Sequence, residues 1–474
     1  MNRPVTWAKV GRTSMPPTRA IAFLCLLGVT SFAQSGIFTP TGSMGIARSE
    51  HTATLLWDGK VLIAGGRNDS SEFLNSAELY DPATGSFAPT GKLSVGRFQH
   101  TATLLPNGTV LIAGGFAVRN GPSLLRTATA ELFDPATGGF RLTGSMAVGR
   151  NGHEATLLAD GKVLITGDGG ASRRSAELYD PNTETFARTS DMRGDRAAHS
   201  ATLLRDGRVL VAGGVQGPVA AEIYDPSSGA FTLTGSMENP HAGHTATLLS
   251  HRKVLIAGGQ STFGATKVAE VYDLAAEGFF PTGSMIAEHV FPSATLLPNG
   301  RVLIVGDCCP DLYDPRTETF SNAGGLIESR SHQTATLLPD DRVLIAGGGT
   351  ASAELYDPFV RVVLDIKPGD AKNTINLKSN ATVLVAIFSS ASFDATTVDP
   401  ASVTLAGAHA VTQGKAGTPL TNLQDANRDG RVDLVLHFKT QDLQLNPGDT
   451  EAVLLGETFS GQSIRGADSI RLVP

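Results

Sequence analysis

The stretch Arg48-Ser49-Glu50-His51-Thr52-Ala53-Thr54-Leu55-Leu56-Trp57-Asp58-Gly59-Lys60-Val61-Leu62-Ile63-Ala64-Gly65-Gly66 decides how the chain is read. Its core, His-Thr-Ala-Thr-Leu-Leu, returns at His100, His153, His199 and His244, then with Pro292 and Gln333 in the place of histidine. The seven copies are 41 to 53 residues apart, a period of four-stranded blades rather than of helical solenoids. Each copy is followed by a turn pair such as Asp58-Gly59, Asn107-Gly108, Asp160-Gly161, Asp206-Gly207 or Asn299-Gly300, and then by Val-Leu-Ile or a close variant. Such pairs accept the positive φ angles of a two-residue type I′ turn, so the reading is a tight hairpin ending in a glycine pair.

A third strand follows as Ala77-Glu78-Leu79-Tyr80-Asp81-Pro82, with counterparts at Glu131, Glu177, Glu222, Glu270, Asp311 and Glu354. Proline stops it, and Asp81-Pro82-Ala83-Thr84-Gly85 turns the chain into a fourth strand, Phe87 to Leu93. Four antiparallel strands repeated seven times predict an all-β fold, a seven-bladed β-propeller over residues 34–358. A lone fourth strand at Phe38 to Met44 precedes the first copy, and the seventh copy stops at Pro358 without one. Pairing the two closes the ring and removes its open edges.

The double glycine, the third-strand tyrosine and the fourth-strand aromatic resemble kelch repeats, and the Arg-x-x-His-x-Ala-Thr-Leu-Leu form is similar to the propeller of secreted galactose-oxidase-like proteins. One departure is phenylalanine (Phe87, Phe140, Phe186, Phe231, Phe280, Phe320) where kelch repeats usually carry tryptophan. That resemblance implies a scaffold shared with copper-radical enzymes, which need tyrosine ligands, one of them cross-linked to cysteine. Here Tyr80, Tyr179, Tyr224, Tyr272, Tyr313 and Tyr356 all occupy the same repeat position, so none is set apart for copper, and no catalytic set stands above the repeat.

The chain has 474 residues, with 38 Lys and Arg against 45 Asp and Glu, a net charge of −7 that offers no basic excess for nucleic acid. Fifty-three glycines and 41% apolar residues argue against both a disordered and a helical chain. Arg3, Lys9, Arg12 and Arg19 precede the apolar run Ala20 to Val29 and the small-residue site Ser31-Phe32-Ala33, so residues 1–33 read as a secretory signal. No run approaches the roughly 18 apolar residues of a membrane span. Cys25 would leave with the signal, and the adjacent Cys308 and Cys309 cannot staple a domain.

Residues 359–474 follow a new strand pattern, Val360 to Ile366, Thr382 to Phe388, Ser402 to Leu405, Val432 to Phe438, Glu451 to Leu455 and Ser469 to Val473, read as a small β-sandwich. Asp365-Ile-Lys-Pro-Gly, Ile375-Asn-Leu-Lys-Ser and Val398-Asp-Pro resemble a module appended to many secreted bacterial proteins. Within it, Asp425, Asn427, Asp429, the Arg431 carbonyl and Asp433 place oxygen donors at positions 1, 3, 5, 7 and 9 of a loop with Gly430 at position 6, the pattern of a structural calcium site. His437 stands at position 12, where an EF-hand carries a bidentate glutamate, so an isolated calcium loop is expected.

The most regular polar feature is Arg-x-x-His: Arg48/His51, Arg97/His100, Arg150/His153, Arg196/His199, His241/His244, His289/Pro292 and Arg330/Gln333. One reading makes these packing devices, arginine bonding across blades to the third-strand glutamate and histidine capping strand ends. The other makes them a polar rim at the channel mouth that binds an anionic or sugar ligand. Ligands are expected on the face carrying the variable loops Arg67 to Ser76 and Phe116 to Thr129, including Arg119 and Asn120. Asp168, which breaks a glycine pair, reads as a turn variant. The expected protein is a secreted binder of carbohydrate or protein. The alternative is a carbohydrate-active enzyme on the same scaffold.

Overall fold

The computed structural model describes residues 36–473 apart from 69, 71, 119–123, 216–219, 240, 262–263 and 308. The expected signal at 1–33, the loop residues Arg119 and Asn120, and Cys308 lie outside the described residues.

Seven four-stranded antiparallel sheets follow one another along the chain. The first is built from Thr52–Leu55, Val61–Ala64, Ser76–Asp81 and Ser86–Lys92. The innermost strands of neighbouring sheets touch, and that of the seventh, Gln333–Leu337, touches Thr52–Leu55, so the sheets close into a ring around an axial channel. Closure comes from Ile37–Pro40, which pairs antiparallel with Ala353–Asp357 in the register Ile37 to Asp357 and Pro40 to Glu354.

The run Val61-Leu62-Ile63-Ala64 shows no alternation because both faces of a blade are covered. Val61 and Ile63 enter the seam with Leu344, Ala346 and Leu355 of the seventh blade, while Leu62 and Ala64 enter the seam with Val110 and Ile112 of the second. Each third-strand aromatic meets a fourth-strand phenylalanine with ring centroids between 4.7 and 5.0 Å apart, Phe38 serving Tyr356 across the closure. In the fifth blade that partner is Phe279, not the expected Phe280, which is half exposed. The hairpins also differ from expectation. Gly59 has φ 84° whereas Asp58 does not enter the left-handed region; the Gly59 amide donates to Leu56 and the Leu56 amide to Lys60. That is a type I turn with a glycine bulge rather than a type I′ turn, and it holds because the Asp58 carboxylate accepts the Lys60 amide at 3.1 Å.

In residues 359–474, two sheets enclose one core containing Leu364, Val385, Leu436, Phe438, Val403 and Leu454. Several strands here were not expected from sequence, the longest being Ser463–Ser469, beside Glu451–Thr458, and Thr421–Gln424, beside Asp433–Lys439. This region is fastened to the hairpin-turn end of the sixth and seventh blades. Asn299 donates to Ser463 at 3.1 Å, Arg301 donates to the Gly461 carbonyl at 3.1 Å, Arg316 pairs with Glu457 at 3.0 Å and Arg465 pairs with Asp341. The opposite end of the channel, where every inner strand begins, carries the variable loops.

Candidate functional site

The two groups expected at the rim take separate places. Arg48, Arg97, Arg150, Arg196 and Arg330 are buried, each pairing with the third-strand glutamate of its own blade rather than of a neighbour, at 2.7 to 3.0 Å for Glu78, Glu131, Glu177, Glu222 and Glu354. Each also donates to the carbonyl of the first glycine of the pair, as Arg48 does to Gly65 at 2.8 Å. Desolvation alone would make a buried charge unfavourable, and these bonds satisfy it.

The histidines, instead of capping strand ends, cross the seams. His51, His100, His153 and His244 bond through Nε2 to Thr334, Thr52, Thr101 and Ser200 of the preceding blade at 2.9 to 3.1 Å, and His199 bonds to Thr166 at 2.8 Å. Their Nδ1 atoms are buried without a hydrogen-bond partner. Burial holds His51, His153, His199 and His244 down to about 3, and His100 well below its ordinary value, with the arginine charge of the same blade adding to the effect for four of the five. Glycine makes this possible. A Cβ on Gly65, Gly114, Gly167, Gly213 or Gly347 would stand 2.5 to 2.8 Å from the ring of the next blade's histidine.

The rim itself is made one residue earlier. Glu50, Gln99, Gly152, Ala198, Gly243, Phe291 and His332, each preceding an inner strand, all have φ between 49° and 62°. Five of the seven carry side chains, and left-handed backbone of that kind costs about 1–3 kcal/mol per residue and clusters at functional sites. Backbone bonds between blades impose it: Glu50 donates to His332, Gln99 to Glu50, Ala198 to Gly152 and Gly243 to Ala198, at 2.8 to 3.2 Å. The rim has two unlike halves. Phe291 stacks on His332 with centroids 5.2 Å apart and lies against Gly243, where a Cβ would come within 2.4 Å of its ring. Opposite in sequence order, Gln99 donates to Glu50 at 2.5 Å, Asn151 donates to Gln99 at 3.1 Å, and Arg67 pairs with Glu50. Gly152 leaves a gap, with nothing nearer than 3.7 Å to an added Cβ. Asp168 is no mere turn variant, since Arg126 and Arg173 both lie 3.7 Å from its carboxylate above this part of the rim. The rim residues were not expected from sequence, although their position varies between copies, as Glu, Gln, Gly, Ala, Gly, Phe and His, beside the recurring Ala-Thr-Leu.

The loop Asp425 to Asp433 is the tip of a hairpin closed by the pair Gln424 and Asp433. The Asp425 carboxylate accepts the amides of Asp429 and Gly430 at 3.0 Å, Asn427 accepts Asp429 at 3.0 Å, and Asp429 accepts Arg431 at 2.8 Å. Arg428 at φ 64° and Gly430 at φ 88° make the sharp bends. Asp433 is buried and holds the loop to the sandwich by accepting Ser389 and Ala426, both at 2.9 Å. Among the described residues no three His, Cys, Asp or Glu side chains gather as a metal cluster. The all-oxygen donors of Asp425, Asn427, Asp429 and the Arg431 carbonyl nonetheless suit a hard cation, and Asp433 contributes foremost by shaping the loop.

The tyrosines do not fit a copper centre. All six lie buried on third strands, and Tyr80, Tyr179, Tyr224, Tyr272 and Tyr313 share hydrogen bonds of 2.8 to 3.1 Å with Thr41, Thr143, Thr189, Thr234 and Thr282 of the preceding blade.

No curated protein matches this chain. A family described as Kelch motif matches residues 49–93. Among solved structures, the chain is similar to a fungal alcohol oxidase of the AA5 family in complex with copper, with a TM-score of 0.59 and 15% identity over 92% of this chain and 100% of that one. With the ring of four-stranded sheets and its rim described, the fold is that of a kelch-type, galactose-oxidase-like β-propeller.

Proposed function

We propose that this protein is a secreted binding protein that takes a carbohydrate at the channel mouth, with a structural calcium ion in the loop Asp425 to Asp433. The observation that carries the reading is the two-sided rim. The Phe291–His332 stack offers a flat apolar surface for the C–H face of a sugar ring, and the exposed Gln99 and Arg67, both held by the buried Glu50 carboxylate, supply hydrogen-bonding groups for its hydroxyls. The buried arginines and histidines are the frame that holds this rim, and a protein ligand would be met by the variable loops around it. Phe291→Ala should weaken binding of a glycan identified on an array by roughly tenfold or more, an effect expected of an aromatic anchor. Asp58→Ala and Asn107→Ala, at the far end, should leave it unchanged. Isothermal titration of the full chain reads both, and loss of binding only with the far-end variants would put the site on the wrong face.

Calcium should stabilise the C-terminal sandwich by about 2.7 kcal/mol at a hundredfold excess over its dissociation constant. Asp425 and Asp429 lie in one exposed loop, where a divalent ion would relieve their repulsion. Scanning calorimetry should show one transition rising with calcium and falling with chelator, and Asp425→Ala or Asp429→Ala should abolish the difference. Identical melting with and without chelator would remove the site.

A further inference from the structure

The third blade breaks the pattern of the ring at Glu154. The first residue after the seam histidine is Thr52, Thr101, Ser200, Thr245, Ser293 or Thr334 elsewhere, and in four blades that hydroxyl receives the next blade's histidine. In the third blade the position is Glu154, and the duty it gives up is taken over by another residue. His199 bonds to Thr166 on the second strand, at 2.8 Å, where the first, second, fourth and fifth blades carry Ala64, Ala113, Ala212 and Ala257. Two departures in one blade thus keep the seam intact while leaving a carboxyl group with no seam role.

That carboxyl group has no hydrogen bond or ion pair among the described residues. Glu154 keeps partial exposure on an innermost strand whose sheet faces are covered by the adjoining blades, so the exposure is toward the axial channel. Desolvation by the surrounding blades pushes the carboxyl up to about 8, with no charged neighbour contributing. Of the charges nearby, His153 and His199 are held neutral, Arg150 is paired with Glu177, and at the rim Asp168 has Arg126 and Arg173 both 3.7 Å from its carboxylate. Two residues before Glu154 stands Gly152, the open sector of the rim.

We propose that Glu154 makes the channel mouth selective for a sugar bearing a protonated primary amine, an amino sugar, over its neutral counterpart. A single carboxylate among hydroxyls matches one ammonium group, whereas a divalent ion would need further anionic donors, and none gather there among the described residues. The aromatic stack across the rim favours a cation as well as a sugar face. This inference rests on the carbohydrate reading above and adds the identity of the substituent.

The test is titration calorimetry of the full chain with a glucosamine oligosaccharide, its N-acetylated form and a glucose oligosaccharide of equal length. The amine-bearing ligand should bind roughly tenfold or more tightly than the other two, with proton release visible as a buffer-dependent heat. Glu154→Gln, and Glu154→Thr, which restores the residue common in other blades, should abolish the preference and the proton release while neutral-sugar binding persists. Equal binding of all three ligands to the parent overturns the role of Glu154 alone and leaves the carbohydrate reading standing. A preference that survives both substitutions also overturns it, as does loss of neutral-sugar binding in both folded variants. Binding of no sugar by the parent overturns the carbohydrate reading and this inference with it.

Discussion

Moving the protein from pH 7 to pH 5 should lower its unfolding free energy by roughly 2 kcal/mol for each of the five seam histidines, on the order of 10 kcal/mol in all. The unfolded histidine takes up a proton as the pH falls through its ordinary value of 6.5, whereas in the folded ring burial keeps His51, His153, His199 and His244 neutral to about 3 and holds His100 well below its ordinary value. Stability from these residues is therefore complete above 6.5 and lost progressively below it. Protonation in place is opposed by burial, and for four of the five rings by the arginine charge of the same blade as well. Glu154 acts with the opposite sign: held up to about 8, it stabilises the fold as the pH falls from there toward its unfolded value and offsets about one histidine. A typical domain has only about 5–15 kcal/mol to lose, so mild acid should unfold the propeller. Chemical denaturation between pH 7 and pH 5 measures the slope. His153→Gln, which repeats the solution found at Gln333, where the side chain donates to the Val305 carbonyl at 2.7 Å, should reduce that slope by one histidine's share. A midpoint that does not move with pH would show that the seams tolerate protonated histidine.

Deleting Ile37 to Met44 should abolish cooperative unfolding. This segment completes the seventh sheet, sets Phe38 on Tyr356, buries Met44 and joins the Thr41 hydroxyl to that of Tyr80 in the first blade at 2.9 Å. Burial of Phe38 and Met44 contributes about 4 kcal/mol together, before the backbone ladder is counted. The deletion also bares the edge of Ala353–Asp357, a template for pairing with a second chain. Calorimetry and size-exclusion chromatography should show a broad, weak transition and soluble aggregates. A truncated chain that melts as the parent does, in one sharp transition, would mean that the ring holds without this closure.

The blades were legible because seven copies spell the same strand order and each copy corrects the reading of the others. What escaped were features that residue type leaves open. Asp-Gly suits both a type I′ turn and a type I turn with a bulge, and the choice falls to the Asp58 carboxylate. Phe279-Phe280 offers two registers one residue apart, and a one-residue slip reverses which side chain is buried. Ser463–Ser469 contains only one large apolar residue, Ile464, yet it forms a strand because Gly466 lets Leu364 and Val362 approach its backbone. Spacing places Arg48 and His51 near the inner strand but gives no depth, so it points arginine across blades and histidine to strand ends when the reverse division holds. The rim was least legible, since Glu50, Gln99 and Phe291 have no preference for left-handed backbone, and the bonds that accompany it reach between blades.

The histidine and glycine of each seam belong to different repeats, and this divides the ring into interchangeable and fixed parts. A segment cut from one histidine to the next carries the glycine that receives its successor and the histidine that fits its predecessor. The first four seams are thus compatible with gain, loss or exchange of whole units by recombination. From Gly258 onward the terms change: Gly258 faces Pro292, Gly306 faces His289 of its own blade, and Gln333 replaces histidine by bonding to Val305. Those joints fit only their present neighbours, and they lie in the same arc that carries Phe291, His332 and the docked sandwich. Descent by duplication would therefore leave its freedom in the first half of the ring, while the sixth and seventh units would pass between lineages only as a linked pair.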